Sequence, residues 1–445
     1  MREYTALALC AGGAEKVVSN ELKKIFPSAR DAAGGVSPAG GLVILESGFG
    51  RVRFKTDLAG LYRALMSLRT ADRLLLEAGN FPAPDFDALF EGTARIPWED
   101  LIPPGMGLTV SKARSNRSQL RAETSLQGVV HKAAADRLCR RRGINRLPEP
   151  GGSAPGGDPR RGAGTAELRV YLEKDRAQVL LDLSGEPLFK RGYRREGGTA
   201  PLRETAAAAI LLLAGWKRKF PLYDPLCGSG TIVAEAALYA WDFAPGLGRG
   251  FALSALALGD RRLEEEIRGE LGARVDLGRP LRIYGSDAGG EAAALAEANL
   301  RRAAALAGRK GGRPRNPGGT AGAEERLPPG VEIRRLSLNE AGPPSGWPPG
   351  GGPPGEDGGA AEGPGDRPGG YIITNPPYGR RLGDREEAET RYREMAVLGG
   401  AFPGWKLGVI CDHPGFESHF GKKAGLCREL KNGAVDAYFY LYDRL

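Results

Sequence analysis

Tyr371-Ile372-Ile373-Thr374-Asn375-Pro376-Pro377-Tyr378-Gly379 is a short apolar run that ends in a polar, proline-stiffened loop. The run of strand formers stops where two prolines remove two backbone donors and fix φ, so the spacing predicts a strand whose end holds Asn375 and Tyr378 in place. A rigid loop at a strand end is where α/β proteins keep their chemistry. Asn375 Oδ1 and the Pro376 carbonyl accept hydrogen bonds, and the Tyr378 ring offers a face to a planar base. With Pro377 they form a holder for an exocyclic amino group. A tetrapeptide of this kind can also be a plain turn, so the surrounding sequence has to decide.

Upstream, Pro221-Leu222-Tyr223-Asp224-Pro225-Leu226-Cys227-Gly228-Ser229-Gly230-Thr231 reads as a strand, a glycine loop and a helix start, with the helix continuing over Ile232 to Ala240. Gly228 and Gly230 lack the Cβ atoms that would keep a ligand away from the backbone. The loop has no Gly-Lys-Ser/Thr ending, which argues against a phosphate-binding P-loop. Ala200-Pro201-Leu202-Arg203-Glu204-Thr205 opens an Ala/Leu-rich helix to about Leu213. A second strand, Leu281 to Tyr284, ends in Gly285-Ser286-Asp287, where a carboxylate can take both hydroxyls of a ribose or cap the next helix. Val331 to Leu336 is the expected third strand.

Taken together, PLRET, DPLCGSGT, GSD and TNPPYG resemble the S-adenosylmethionine-dependent methyltransferases that modify exocyclic amines of adenine, guanine or glutamine. The resemblance implies a Rossmann-like class I domain with a mostly parallel sheet and a closing antiparallel hairpin, formed by the final strand Tyr438 to Tyr442. It implies cofactor contacts from Arg203, Thr205, Asp224, Cys227, Gly228, Ser229, Gly230, Thr231, Asp287 and Asn375. Asn375, Pro376, Pro377 and Tyr378 would carry the reaction. Members of this class usually have an Asp after the third strand for the cofactor adenine; here stand Ser337, Leu338 and Asn339, so Ser337 or Asn339 would take that contact. Cys227 belongs to the glycine loop, which sets it aside as a nucleophile.

The front of the chain reads as two α/β units. Residues 1–69 form a ferredoxin-like α+β unit: strand Tyr4 to Cys10, helix Ala14 to Ile25, short strands Leu42 to Leu45 and Arg51 to Phe54, and a helix capped by Asp57. Residues 70–192 carry strand Arg73 to Ala78, helix Asp85 to Glu91, strand Leu108 to Lys112, a helix from about Ser125 to Arg142 and a hairpin turning at Lys174-Asp175. Lys112, Arg114, Arg117 and Arg121 form one basic stretch, and Lys132, Arg140 and Arg141 lie on the helix. Lys190, Arg191 and Arg194 follow at the junction with the third unit, residues 193–445. Basic stretches grouped in this way suggest phosphate contacts along RNA, although a solvated helix face is the commoner fate of such charges. SKARSNRSQL and ELRVYLEKDRAQVLLDLSGEPLFKRGY in this order resemble a THUMP RNA-binding domain. Pro148 to Gly164, Gly308 to Gly330 and Gly342 to Gly370 are Gly/Pro-rich and are expected to be loops without a core.

With 445 residues, 41% apolar, the chain can bury several cores, and its net charge of +9 favours a polyanionic partner. Five cysteines without CxxC spacing suggest reduced cytoplasmic thiols, with neither a metal nor a membrane implied. His131, His413 and His419 read as packing or surface residues. The whole resembles the THUMP-containing bacterial rRNA methyltransferases that make N2-methylguanosine in large-subunit rRNA, often labelled N6-adenine-specific DNA methylases. Alternatives are an N6-adenine methyltransferase acting on DNA or RNA, and an inactive RNA-binding assembly factor.

Overall fold

The computed structural model describes residues 2–26, 41–149, 164–194, 202–309, 327–343, 369–378, 384–432 and 435–445. Pro201, Gly379 to Gly383, and most of the three Gly/Pro-rich inserts lie outside them.

The front half builds β1 (Tyr4–Cys10), α1 (Glu15–Ile25), β2 (Val43–Gly48), β3 (Arg51–Thr56), α2 (Leu58–Ser67), β4 (Ala71–Pro82), α3 (Phe86–Arg95), β5 (Gly107–Asn116), α4 (Glu123–Arg142), β6 (Thr165–Glu173) and β7 (Arg176–Asp182). Local signals set most boundaries. Asp57 accepts from Gly60 N at 2.8 Å and Asp85 from Ala88 N at 2.8 Å, so both are side-chain N-caps. Lys174 and Asp175 adopt φ of 51° and 56°, the left-handed pair of a tight hairpin. Gly143, at φ 65°, ends α4. β5 runs on to Asn116 because it pairs in parallel with β6, which places Lys112 and Arg114 on a strand.

One seven-stranded sheet, ordered β2-β3-β1-β4-β7-β6-β5, spans this half. β4 pairs with β1 on one side and β7 on the other, so the two units expected on either side of residue 70 share a sheet. Alternation gives it two faces. Ala6, Ala8, Val52, Phe54, Leu74, Leu76, Leu168, Val170, Val179 and Leu181 enter the main core under the helices. Leu7, Leu75 and Leu180 form a separate small cluster with Leu9 and Tyr171.

The second half contains α5 (Glu204–Leu213), β8 (Leu222–Asp224), α6 (Thr231–Ala240), α7 (Arg261–Ala273), β9 (Ile283–Asp287), α8 (Gly290–Ala307), β10 (Val331–Arg335), β11 (Tyr371–Thr374), α9 (Asp384–Glu394), α10 (Val397–Ala401), β12 (Lys406–Cys411), α11 (Phe416–Phe420), β13 (Leu426–Asn432) and β14 (Val435–Tyr442). Its sheet runs β10-β9-β8-β11-β12-β14-β13. The first five strands are mutually parallel and β14 is antiparallel to both its neighbours, β12 and β13, so the mostly parallel sheet closes in the antiparallel hairpin that the resemblance implies. Crossover connections place β8 and β11 side by side at the point where strand order reverses, the usual ligand crevice of such sheets. α7 escapes sequence reading because its only large apolar residues, Leu263, Ile267 and Leu271, are scattered among charged residues and two glycines.

Charged side chains clamp the halves together. Arg63 binds Glu270 of α7 through two contacts, at 2.7 and 2.5 Å, and Arg69 Nη2 donates to Phe243 O at 2.7 Å. At the far end, Lys431 N of β13 donates to Gly12 O at 3.0 Å. No helix among the described residues is long and apolar enough to cross a membrane.

Candidate active site

β8 ends in the glycine loop and β11 ends in Asn-Pro-Pro-Tyr, and one hydrogen bond ties these strand ends together: Thr374 Oγ1 donates to Asp224 Oδ1 at 2.6 Å. Asp224 is 1% exposed and also accepts from Leu226 N at 3.2 Å. Burial pushes its carboxyl up to about 7, Asp287 adds to that, and the Thr374 and Leu226 hydrogen bonds oppose it. Asp224 thus sits beneath the loop and shapes it.

The loop itself is held open. Gly228 has φ 51° with no neighbouring atom within 4 Å of where a Cβ would stand, and Gly230 has φ 74° with Ala296 Cβ only 2.8 Å from that place. The first glycine leaves free space beside the backbone; the second allows α8 to pack. Asp287 Oδ2 accepts from Gly228 N at 3.0 Å and Oδ1 from Gly289 N at 2.9 Å, so the carboxylate at the end of β9 braces the loop while staying half-buried. Asn299, fully buried in α8, donates to Ser229 O at 2.9 Å. A left-handed loop, open space at Gly228, a helix N-terminus at Thr231 and a half-exposed carboxylate fit a nucleoside cofactor bearing a sulfonium.

Other expected contacts lie elsewhere. Arg203 and Thr205 both bind Asp72 of β4, at 3.1 and 2.6 Å, and so join the halves instead of meeting the glycine loop. Thr231 Oγ1 accepts from Arg194 Nη2. Ser337 forms a reciprocal cap with Glu340, and Asn339 is exposed in the following turn. Burial pushes the Cys227 thiol well up, with Asp224 and Asp287 adding to it, so Cys227 is not a thiolate.

At the end of β11, Asn375 Oδ1 is a buried acceptor with no hydrogen-bond partner among the described residues. Pro376 is buried, Pro377 exposed and Tyr378 half-buried against the core around β12. The buried Tyr392 of α9 donates its hydroxyl to Pro377 O at 3.1 Å and fixes the loop from below. Near it, Glu389 faces His413 Nε2 at 3.4 Å and His419 Nε2 at 3.7 Å. Gly415 N donates to His413 Nδ1 at 3.0 Å, and Arg385 Nη2 lies 3.3 Å from His413 Nε2 on the side that faces Glu389.

The expected basic residues divide. Arg114, Arg117, Arg121, Lys132, Arg140, Arg141 and Lys190 are exposed, and Lys112 is half-buried. Arg191 and Arg194 are not available to an external partner. Arg191 is 2% exposed, donates to the carbonyls of Leu188 and Arg69 and lies 3.6 Å from Glu235. Arg194 donates to Leu202 O at 3.0 Å and lies 3.7 Å from Glu204. Sequence reading missed Thr374, Asp72 and Asn299. Only Thr374 carries a local signal, through its place beside Asn375.

Residues 191–308 match the family described as the RMKL-like methyltransferase domain, and residues 39–75 match the RlmL ferredoxin-like domain. The chain is 29% identical over 443 residues, covering 99% of it and 96% of the relative, to the Bacillus subtilis protein provisionally named RNA methyltransferase YpsC. It is 32% identical over 403 residues to the ribosomal RNA large subunit methyltransferase K/L of Methylococcus capsulatus, covering 88% of this chain but only 47% of that relative. Among solved structures, SMU.472 complexed with SAH has a TM-score of 0.76 at 29% identity, covering 100% of this chain and 99% of that one. A predicted N6-adenine-specific DNA methylase from Listeria monocytogenes has a TM-score of 0.76 at 30% identity, covering 99% of this chain and 96% of that one. These likenesses run through both halves and through the cofactor crevice, and the chain therefore belongs to the RMKL-like methyltransferases and has the class I fold of S-adenosylmethionine-dependent enzymes.

Proposed function

We propose that the protein methylates an exocyclic amino group of a base in RNA, and that the target is guanine N2 of large-subunit rRNA. The observation that carries this reading is Asn375 Oδ1, a buried acceptor without a partner among the described residues, set at the strand end where the rigid loop begins. A buried acceptor left unpaired costs about 1–3 kcal/mol, and an amino N–H would satisfy it. The names of YpsC and of the K/L relative support RNA over the DNA named for the Listeria structure. The order of elements in residues 70–192 supports a THUMP-like module, and ribosomal RNA as substrate supports a cytoplasmic location.

S-adenosylmethionine supplies an electrophilic methyl group on sulfur when bound. Asp287, Gly228 and the start of α6 would hold it beside the loop. Asn375 Oδ1 and the Pro376 carbonyl accept the two amine hydrogens, and Tyr378 stacks on the base. Hydrogen bonding turns the nitrogen lone pair toward the incoming methyl and keeps it out of conjugation with the ring. One amine proton leaves to solvent after transfer, so no strong base and no cysteine are required. Nucleoside mass spectrometry of large-subunit rRNA from cells with the wild-type gene, without it, or with Asn375→Ala tests this. Loss of one N2-methylguanosine in the last two is expected; loss of N6-methyladenosine instead would move the target to adenine, and an unchanged profile would overturn the activity.

A further inference from the structure

The sheet of the front half has one face without helices among the described residues, and that face forms a groove of about 1180 Å³. This exceeds the ~300–1,000 Å³ of a small-molecule site. Its lining holds eight lysine or arginine side chains against three carboxylates. The excess follows from strand alternation: Arg51 and Arg53 of β3, Arg73 of β4, Arg169 of β6 and Lys112 and Arg114 of β5 all stand on the face opposite the main core.

Several of these cations are already matched. Arg53 binds Glu77 at 2.7 Å and Arg73 binds Asp182 at 2.5 Å. Two are not. Arg176 Nε donates to Asn80 Oδ1 at 2.6 Å, and neither Arg176 nor Lys112 has a carboxylate within ion-pair distance among the described residues. Lys112 is crowded by Arg114 and Arg169, and burial together with those neighbours lowers its pKa. An anion placed there relieves that crowding.

The groove also has stacking surfaces. Tyr171 lies on its floor beside Leu9, and Phe49 stands at its rim with 73% of its surface exposed. Both margins touch the methyltransferase half: Arg203 lines one, and Lys431 of β13 lies 5.8 Å from the Phe49 ring. Basic walls with interleaved aromatic faces suit a flexible single strand, whose bases are free to stack.

We propose that this groove holds a single-stranded segment of the RNA substrate, with phosphates at Lys112 and Arg176 and bases against Tyr171 and Phe49. The inference rests on the RNA reading above and narrows it. It also separates the basic residues by function, because α4 packs on the other face of the sheet, so Lys132 and Arg140 lie away from the groove.

The test uses the full chain and a short fluorescein-labelled single-stranded oligoribonucleotide of mixed sequence, with binding followed by anisotropy across a salt series. Lys112→Ala/Arg176→Ala is expected to weaken binding about tenfold and to flatten the salt slope by about 1.4, two phosphates at ~0.7 each. Phe49→Ala, at an exposed rim position, is expected to weaken binding without changing the slope. Lys132→Ala/Arg140→Ala should leave both unchanged. Unaltered affinity and slope in the groove variants, with loss in the α4 variant, would overturn the groove and leave the RNA reading standing. Absence of RNA binding by a wild-type protein that still binds S-adenosylhomocysteine would overturn the RNA reading itself.

Discussion

Thr374 donates to Asp224 across 2.6 Å, between residues 150 positions apart, and so locks the strand that carries the base-holding loop to the strand that carries the cofactor loop. Thr374 is fully buried. Thr374→Val keeps the shape and removes the donor, and should destabilise the protein by about 1–3 kcal/mol because a buried carboxyl loses its partner. Thr374→Ser should recover most of that loss. Urea denaturation of the three proteins at one pH measures it.

Asp224 should make stability depend on pH. Its carboxyl is held at about 7 in the fold, against ~3.9 in an unfolded chain, so the native state keeps a proton that the unfolded state releases. Its contribution is therefore greatest below about pH 4, falls as pH rises toward 7, and is flat above that. The full span is at most about 4 kcal/mol. Asp224→Asn should abolish this part of the decline, read as a smaller change in urea midpoint between about pH 5 and 8 than in the wild type.

Asn375→Ala separates catalysis from stability. Because Asn375 Oδ1 has no partner among the described residues, truncation should change folding stability by no more than about 1 kcal/mol. Methyl transfer should fall about 10²–10³-fold, with the loss in kcat and not in KM for RNA. A melting curve and single-turnover kinetics on the same preparation check both halves of the expectation.

The two loop glycines should fail differently. Gly230→Ala brings a Cβ within 2.8 Å of Ala296 Cβ at φ 74°, and should cost more than about 2 kcal/mol of stability. Gly228→Ala meets open space at φ 51° and should cost about 1 kcal/mol, yet weaken S-adenosylhomocysteine binding about tenfold or more, since its methyl would fill the free space beside the loop backbone. Calorimetric titration beside thermal melts distinguishes them.

Arg191 is a structural cation. It lies 3.6 Å from Glu235, itself 1% exposed, so Arg191→Ala should destabilise by about 3–5 kcal/mol through the carboxylate left behind. Arg191→Ala/Glu235→Ala should lose less than the sum of the two single changes, which a double-mutant cycle reads directly.

Much of the second half is legible from local sequence. Asn375 and Tyr378 follow from two prolines at a strand end and the glycine loop from the Cβ atoms it lacks; in the front half the cap at Asp57 follows from its place before an amphipathic run, whereas Asp85, read as the first residue of its helix, is the N-cap. Such signals need only the few residues that set φ and ψ or one helix turn. Asp287 is also found at its expected strand end, although its visible partners are the amides of Gly228 and Gly289.

The sequence by itself determined most of the strands and helices, α7 excepted, and the chemical character of the two loops, because periodicity, caps and turn residues act over about ten positions. Only the tertiary structure decided what each charged side chain faces. It turned Arg191 into the core, matched Thr205 to Asp72 across 133 positions, joined the two front units through β4, and gathered Lys112, Arg176 and Tyr171 on one open sheet face. The reason is physical: a long cationic side chain has the same local sequence signature whether it points to water, a buried carboxylate or a groove, and only the strand register chooses among them.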